Sequence, residues 1–259
     1  MTPDDHDLRE ILSSAPLTVI GQMRAASNAS LVCTASSDSI QCMYKPVAGE
    51  RPLWDFPEGT LGHREVAAHD ISSRIGWSII PLTVWRQDGP YGPGMCQLWI
   101  DADETGPVAL VSSEEATGRI VLEGQDSTGR QLALVHEDTA DLQRVALFDA
   151  VVNNADRKGG HVLRDQSGRL WAIDHGVTFA EESKLRTVLW GWAGEPIPVG
   201  LLGDLRAFRE SFLRDPGSLA DHLASEEVEA ITQRIDELLA QGTFPLPSDG
   251  WPAVPWPIM

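Results

Sequence analysis

The stretch that decides the fold is NNADRKGGHVLRDQSGRLWAIDHGVTF, residues 153–179. It follows LQRVALFDAVV (142–152), whose mostly apolar composition predicts a helix. Two short runs, HVLRD and LWAID, are joined by QSG and predict a hairpin that ends at Asp174. The Gly-containing loop before the hairpin bears four polar side chains: Asp156, Arg157, Lys158 and His161. Since the two ends of a short hairpin lie close in space, we expect Asp156, His161 and Asp174 to converge on one point.

Two carboxylates and a third ligand beside a glycine-rich turn suit phosphoryl transfer. One carboxylate orients the attacking hydroxyl, and another holds magnesium against the phosphate oxygens. Magnesium takes a few carboxylate oxygens together with water and phosphate, so a full protein cage is not needed. Two other interpretations stay open at this point. Asp156 and Arg157 can form a surface ion pair beside an ordinary hairpin, or Asp156, His161 and Asp174 can be the metal ligands of a hydrolase.

The segment ADRKGGHVL…AIDHG resembles the catalytic and metal-binding loops of the phosphatidylinositol 3-/4-kinase superfamily, nearest to the type II phosphatidylinositol 4-kinases. That family has Asp-Arg, an Asn five positions after the Asp, a hairpin, and then Ile-Asp-x-Gly. The order of elements is similar over residues 17–215, but the motif is specific only in 153–179. The resemblance implies that ATP is the phosphoryl donor, that Asp156 is the catalytic base and that Asp174 is a metal ligand. Arg157 and Lys158 would complete the catalytic loop. Arg157 can alternatively pair with a neighbouring carboxylate and fix the loop, and Lys158 can reach the γ-phosphate or be a solvated lysine.

His161 departs from the family pattern, because it stands where the family usually has a metal-binding Asn. Neutral imidazole is a poor ligand for Mg²⁺ and suits Mn²⁺ or other transition metals better. The sequence therefore leaves three interpretations: His161 is a metal ligand beside Asp174, it hydrogen-bonds nucleotide, or a water fills the gap. The metal is accordingly Mg²⁺ or Mn²⁺.

The upstream half of a kinase site needs a cation on the α- and β-phosphates and a carboxylate that positions the cation. Lys45 ends an apolar strand in CMYKP, which is the position that the resemblance gives to this lysine. Glu65 lies on the helix predicted to follow and is the expected ion-pair partner. Three nearby side chains stay open as alternatives: Glu50, Glu58 and His69.

Two further segments are expected to contact nucleotide. GQMRAASNAS (21–30) would cover the phosphates, where Ser27 and Asn28 offer hydroxyl and backbone donors, although the segment lacks GxGxxG and also reads as a plain hairpin turn. The second segment would be the hinge, which contacts adenine through backbone groups and is supported only by position. Its residues are Gln97, Leu98, Trp99 and Ile100.

The remaining chain predicts an α+β layout. Three N-terminal runs predict strands: LTVIGQM (17–23), LVCTA (31–35) and SIQCMYK (39–45). Apolar residues at helical spacing then predict a helix from Thr60 to Gly76, followed by strands at 77–87 and 96–100. The acidic stretch 101–130 predicts a boundary between lobes. Two amphipathic helices are predicted at 202–213 and 225–239.

With the resemblance, this order predicts a bilobal protein-kinase-like fold with a β-rich N-lobe and a helical C-lobe. The N-terminal arm would be 1–16, the N-lobe 17–101 and the C-lobe 102–259. The acidic, polar N-terminus MTPDDHDLRE lacks the features of a signal peptide, which predicts a cytoplasmic protein. Cys33, Cys42 and Cys96 have no CxxC spacing, so a zinc site or a disulfide framework is not expected.

The net charge of −18 disfavours nucleic acid and anionic membranes as partners, because both are polyanions. It also speaks against a phosphoinositide lipid kinase, which should show a basic or apolar docking surface. The expected acceptor is a hydroxyl of a protein or of a small molecule. A nucleotide-binding pseudokinase that acts through a partner is the alternative that His161 supports.

Overall fold

The computed structural model describes residues 5–23, 28–35, 40–51, 53, 56, 61–250 and 252–259. Its N-terminal part is rich in strands and its C-terminal part is mostly helical, so the predicted α+β class is confirmed. Among the described residues, no helix combines the length and the apolar composition that crossing a bilayer demands.

A five-stranded antiparallel sheet forms most of the N-terminal part, with the order β1-β2-β3-β5-β4. Its strands are β1 (Leu17–Gln22), β2 (Leu31–Ala35), β3 (Ile40–Pro46), β4 (Thr83–Arg86) and β5 (Gly94–Leu98). Burial alternates along β3, where Cys42 and Tyr44 are fully buried and Met43 between them is not. Since side chains alternate between the two faces of a strand, Lys45 lies on the face opposite Tyr44.

Helix α1 (Asp5–Ser14) occupies the segment that the sequence predicted to be a polar arm, so that prediction was wrong. The helix buries a single apolar side chain, Leu12, against the sheet. Arg86 of β4 donates to the carbonyl oxygens of Leu12 (2.8 Å) and Ala15 (3.0 Å) at the C-terminal end of the helix. A cation that satisfies terminal carbonyls stabilises a helix that its apolar face alone would hold weakly.

Helix α2 (Leu61–Ile75) ends at Gly76, whose φ of +86° is the left-handed conformation that glycine adopts readily. The predicted start at Thr60 lies outside the described residues. At the other end, Glu50 accepts hydrogen bonds from the backbone N–H groups of Leu61 (3.0 Å) and Gly62 (2.9 Å). A carboxylate on the first N–H groups of a helix satisfies them and favours the positive end of its dipole.

A second sheet lies between the two parts of the chain, within and just after the stretch predicted as a lobe boundary. It has the order β6-β8-β7 and consists of β6 (Val108–Ser112), β7 (Arg119–Gln125) and β8 (Gln131–His136). Nothing in the sequence analysis anticipated these strands, because β7 is largely solvent-exposed and lacks a clear apolar alternation. The strand predicted over 77–87 is also shorter than expected and forms only at Thr83–Arg86.

The C-terminal part packs three helices around the predicted hairpin. The helices are α3 (Ala140–Val152), α4 (Val199–Arg214) and α5 (Ser225–Gln241), and the hairpin strands are β9 (Val162–Arg164) and β10 (Leu170–Ala172). Thr139 caps the start of α3, where its side chain accepts from Leu142 N. The largest apolar cluster of the molecule gathers residues of all three helices, so this core fixes where α3 delivers the loop that follows it.

Candidate active site

Lys45 joins the two parts of the molecule. Its Nζ donates to Oε1 of Glu65 at 2.6 Å and to Oδ1 of Asp174 at 2.9 Å. The lysine comes from β3, the glutamate from α2, and the aspartate from the residues that follow β10. Glu50, one of the alternatives, is engaged at the N-terminus of α2, and Glu58 lies outside the described residues. The structure therefore pairs Lys45 with Glu65, the partner that the sequence favoured.

The charges of this triad shift one another's titration. Burial works to lower the pKa of Lys45, but the carboxylates of Asp174 and Glu65 outweigh it and hold the pKa above its usual range. The Lys45 ammonium holds the pKa of Asp174 well below its ordinary value. Burial raises the pKa of Glu65, and the nearby ammonium only partly offsets that effect. One ammonium group thus pairs with two carboxylates, of which Glu65 is buried and Asp174 is 47% exposed.

Asp174 has an unusual backbone conformation, with φ of 59° in the left-handed region. Non-glycine residues adopt this region at a cost of order 1 kcal/mol, and they cluster at functional sites when the surrounding structure holds them there. Gly176, two residues later, is tightly packed, since an added Cβ would lie 3.2 Å from the Cβ of Leu61. The Ile-Asp-x-Gly turn is therefore pressed against the start of α2, which directs Asp174 toward Lys45.

His161 lies on the other side of Asp174. Its Nε2 is 3.4 Å from Oδ2 of Asp174, and its buried Nδ1 has no hydrogen-bond partner among the described residues. Burial lowers the pKa of His161 to about 4, against the pull of the Asp174 carboxylate, so the imidazole is neutral at physiological pH. Neutral imidazole is the form that binds metal, and next to a carboxylate it suits Mn²⁺ better than Mg²⁺.

Protein ligands for a metal are few here. Across the described ranges, no group of three or more His, Cys, Asp or Glu side chains is placed to hold an ion. Asp174 and His161 can supply two ligands, and the remaining positions would fall to phosphate and water, as is usual for divalent ions at nucleotides. The donor set therefore fits a divalent ion that takes most of its ligands from phosphate and water.

Asp156 is the accessible carboxylate of the loop. Its side chain is 29% exposed, and Lys158 Nζ lies 3.0 Å from its Oδ2. Its backbone N–H donates to Oδ1 of Asn154 at 3.0 Å, which fixes the start of the loop. Burial raises the pKa of Asp156, although the Lys158 ammonium opposes the shift. Asp156 and Lys158 are thus paired in a partly exposed position.

Arg157 has a different environment from the one predicted for a catalytic residue. Its side chain is 0% exposed, so it cannot touch a substrate, and the assignment to the catalytic set is corrected on that ground. Its guanidinium binds both carboxylate oxygens of Asp149 at 2.9–3.1 Å, the carbonyl of Ile173 at 2.8 Å and Nε2 of His175 at 2.7 Å. Arg157 therefore ties the catalytic loop to α3 and to the turn that carries Asp174, the loop-fixing role open to an Asp-Arg pair.

Asp149 and His175 are site residues that the sequence analysis missed. Both are fully buried, and Asp149 also accepts from Asn154 Nδ2 (3.0 Å). A carboxylate within an otherwise apolar helix segment was the available signal, because a buried charge must be paired. His175 gave no comparable signal in the sequence.

The segments expected at the phosphates and at adenine are placed only in part. Ser27 lies outside the described residues, and Oδ1 of Asn28 accepts from the backbone N–H of Arg51 at 2.8 Å, which occupies that oxygen. In the hinge, Gln97 is buried and donates to the Thr83 hydroxyl at 2.8 Å. The amides of Leu98 and Trp99 are already used within the sheet region. A backbone contact to adenine would therefore fall to their carbonyl groups or to Ile100.

No protein-family model matches the chain. Over 267 aligned positions it is 42% identical to protein Rv2133c of Mycobacterium tuberculosis (strain ATCC 25618 / H37Rv), an alignment that spans 97% of this chain and 95% of the relative. The chain belongs to the Rv2133c family. The site described above is therefore the site of an Rv2133c-family protein.

Solved structures establish what fold this Rv2133c-family member has. The crystal structure of the Golgi casein kinase matches with a TM-score of 0.53 and 16% identity over 93% of this chain and 75% of that one. The same kinase with Mn and ADP bound gives 0.53 and 15% over 92% and 76%. Hydra Fam20 with sugar gives 0.57 and 14% over 93% and 89%. At such low identity the likeness shows the fold alone, and that fold is kinase-like.

Proposed function

We propose that the protein is an ATP-dependent phosphotransferase, similar to the phosphatidylinositol 3-/4-kinase superfamily, which moves the γ-phosphate to a hydroxyl of a protein or a small molecule. One observation carries the proposal: Lys45 is held between Glu65 and Asp174 at hydrogen-bond distances, in a kinase-like fold. A lysine oriented by a helix glutamate, next to a metal-binding aspartate, is what cradles nucleotide phosphates in kinases.

The donor side is formed by Lys45, Asp174 and His161. Lys45 would bind the α- and β-phosphate oxygens and remain oriented by Glu65. Asp174 and His161 would hold a divalent cation, which supplies neutralisation of the negative charge on the phosphate oxygens. Asp174 contacts both Lys45 and His161, so it links the ammonium group to the imidazole that would share the cation.

The acceptor side is formed by Asp156 and Lys158. Asp156 would orient the acceptor hydroxyl and take its proton while the oxygen attacks the γ-phosphorus, the bond to the bridging oxygen breaks and ADP leaves. Lys158, 3.0 Å from Asp156, can move to the transferred phosphoryl group and balance its charge. The net charge of −18 opposes approach to an anionic lipid surface, which favours a protein or small-molecule acceptor.

The test measures ADP formation by the purified protein with ATP and either Mg²⁺ or Mn²⁺. Lys45→Ala and Asp174→Ala should each abolish metal-dependent turnover, while Asp236→Ala, a surface carboxylate on α5, should not. Asp156→Asn should keep nucleotide affinity and lose turnover. Wild-type turnover in the Lys45 or Asp174 variant would overturn the assignment. Candidate acceptors are then compared: casein, a panel of small hydroxyl compounds, and phosphatidylinositol vesicles.

A second candidate function is a nucleotide-binding pseudokinase, and His161 is the observation that favours it. A site that lacks the usual Asn at this position can bind nucleotide and metal without supporting phosphoryl transfer. The same experiment separates the two functions, because the pseudokinase binds ATP in the wild type yet forms no ADP with any metal or acceptor.

A further inference from the structure

The C-terminal segment 252–259 runs along the acceptor side of the site. Near its end, the carbonyl of Ile258 accepts a hydrogen bond of 2.9 Å from the backbone N–H of Gly159, the residue directly after Lys158. Gly159 is buried there, and an added Cβ would lie 2.6 Å from Sδ of Met259 and 3.2 Å from Cγ1 of Val108. A larger residue at this position would have to displace the flexible end of the Met259 side chain and crowd Val108.

A second anchor holds the same segment to the chain that follows Asp174. The carbonyl of Ala253 accepts from the backbone N–H of Thr187 at 3.1 Å and from Nε1 of Trp190 at 2.7 Å. Thr187 is itself paired with the catalytic loop, through an isolated parallel bridge to Arg157. Residues 252–259 therefore contact both the catalytic loop and the chain that follows Asp174. They accept hydrogen bonds from three donors: the backbone N–H groups of Gly159 and Thr187, and Nε1 of Trp190.

The segment 252–259 contacts the loop without covering Asp156 or Lys158. With the segment in place, the Asp156 side chain is still 29% exposed and Lys158 is 19% exposed. Trp256, the largest side chain of the segment, is 87% exposed and points into solvent. Ile258 instead packs against the main apolar cluster. The segment therefore lies behind the catalytic loop and leaves its reactive groups open.

We propose that residues 252–259, which we call the C-terminal brace, position the catalytic loop so that Asp156 and Lys158 meet the acceptor. This proposal rests on the proposed phosphotransferase function. Ile258 and Met259 are positioning residues, since they act through Gly159 and touch no reacting atom. Loss of the brace should lower kcat and leave nucleotide binding intact, because Lys45, Glu65 and Asp174 are held by other elements.

Full-length variants test this. Gly159→Ala should displace the end of the Met259 side chain and crowd Val108. Through the weakened Ile258 contact it should speed amide hydrogen exchange of the loop by about threefold to fivefold, and lower kcat by a similar factor. KM for ATP should stay within about twofold, since the donor side is untouched. Adding Met259→Ala makes room for the new methyl and should restore both kcat and protection. Gly160→Ala is the matched control for exchange and nucleotide affinity, because its methyl would meet nothing within 4 Å.

A chain that ends at Gly250 removes both anchors and should lose kcat by on the order of 100-fold, as misplaced catalytic groups do. If that chain fails to fold, the Gly159 series decides. A rise in kcat on truncation would make the segment an inhibitor and overturn the brace. So would Gly159→Ala with unchanged kcat and exchange, or a double variant without rescue. If the wild type shows no turnover, the proposed function fails and the catalytic role of the brace is overturned with it, whereas a brace that fails alone leaves wild-type turnover intact.

Discussion

Replacement of Asp149 by alanine tests the anchor of the catalytic loop. The Asp149 carboxylate is fully buried and accepts from Arg157 Nε and Nη2 and from Asn154 Nδ2. Asp149→Ala would leave the fully buried Arg157 guanidinium without its counter-charge. Breaking one partner of a buried ion pair costs about 3–5 kcal/mol, because the remaining charge stays desolvated.

The expected change in Tm follows from chain length. At ~2.1 cal/mol/K per residue, the unfolding entropy of 259 residues is about 0.54 kcal/mol/K. A loss of 3–5 kcal/mol therefore lowers Tm by about 6–9 °C. The matched control is Asp236→Ala, which breaks another Arg–Asp pair. There the partner is Arg209, and the Asp236 carboxylate is 47% exposed. Exposed pairs are worth about 0.2–1 kcal/mol, so that variant should shift Tm by less than about 2 °C.

The measurement is thermal unfolding by calorimetry, repeated with urea at fixed temperature. Asp149→Asn is the isosteric variant: it keeps the volume and one acceptor but removes the charge. It should remain well below wild type in Tm, because the Arg157 charge is still unbalanced. Equal Tm shifts for Asp149→Ala and Asp236→Ala would show that the Arg157 pair is solvated, and the loop-anchor reasoning would be wrong.

Three further predictions follow from single residues. His161→Asn should shift the preference in kcat/KM from Mn²⁺ toward Mg²⁺; an unchanged ratio would show that His161 is not a ligand. Glu50→Ala removes the acceptor for two N–H groups at the start of α2 and should cost about 1–2 kcal/mol in urea unfolding. The exposed Glu229→Ala should stay within about 0.5 kcal/mol. Burial, with its neighbouring imidazole, lowers the pKa of His63 to about 4. The unfolded chain takes up that proton near pH 6.5, so the free energy of unfolding should decrease as pH is lowered from about 6.5 to about 4. His63→Gln should make this decrease smaller.

The local part of the site could be predicted from sequence because its residues are close in the chain. Asp156 and Asp174 flank one short hairpin, so few arrangements of the backbone can separate them. The apolar helix before the loop and the hairpin strands also formed near their expected positions. Lys45 and Glu65 were placed by the resemblance together with a strand and a helix, and the structure brings both to Asp174.

The parts that sequence could not supply depend on tertiary contacts. Helix α1 is held by one buried Leu12 and by Arg86 from a distant strand, so its own pattern is weak. Strand β7 pairs with β8 but is largely exposed, so its own residues carry little apolar pattern. The sequence leaves a loop-fixing ion pair of Arg157 open, but it does not identify Asp149 as the partner, because Asp149 stands within an apolar helix. In each case the structure depends on contacts with another segment, so the sequence of one segment alone carries little information about it.

The bridge from Lys45 to both Glu65 and Asp174 has a thermodynamic consequence. One ammonium group belongs at the same time to the N-terminal sheet and to the turn after β10, so the position of each part is coupled to the other. Binding free energies are reciprocal. A ligand that draws Lys45 away from Asp174 weakens the attraction between the two parts by the same free energy by which that attraction weakens ligand binding. Under the proposed function, nucleotide affinity and the separation of the two parts would therefore be two measurements of one coupling energy.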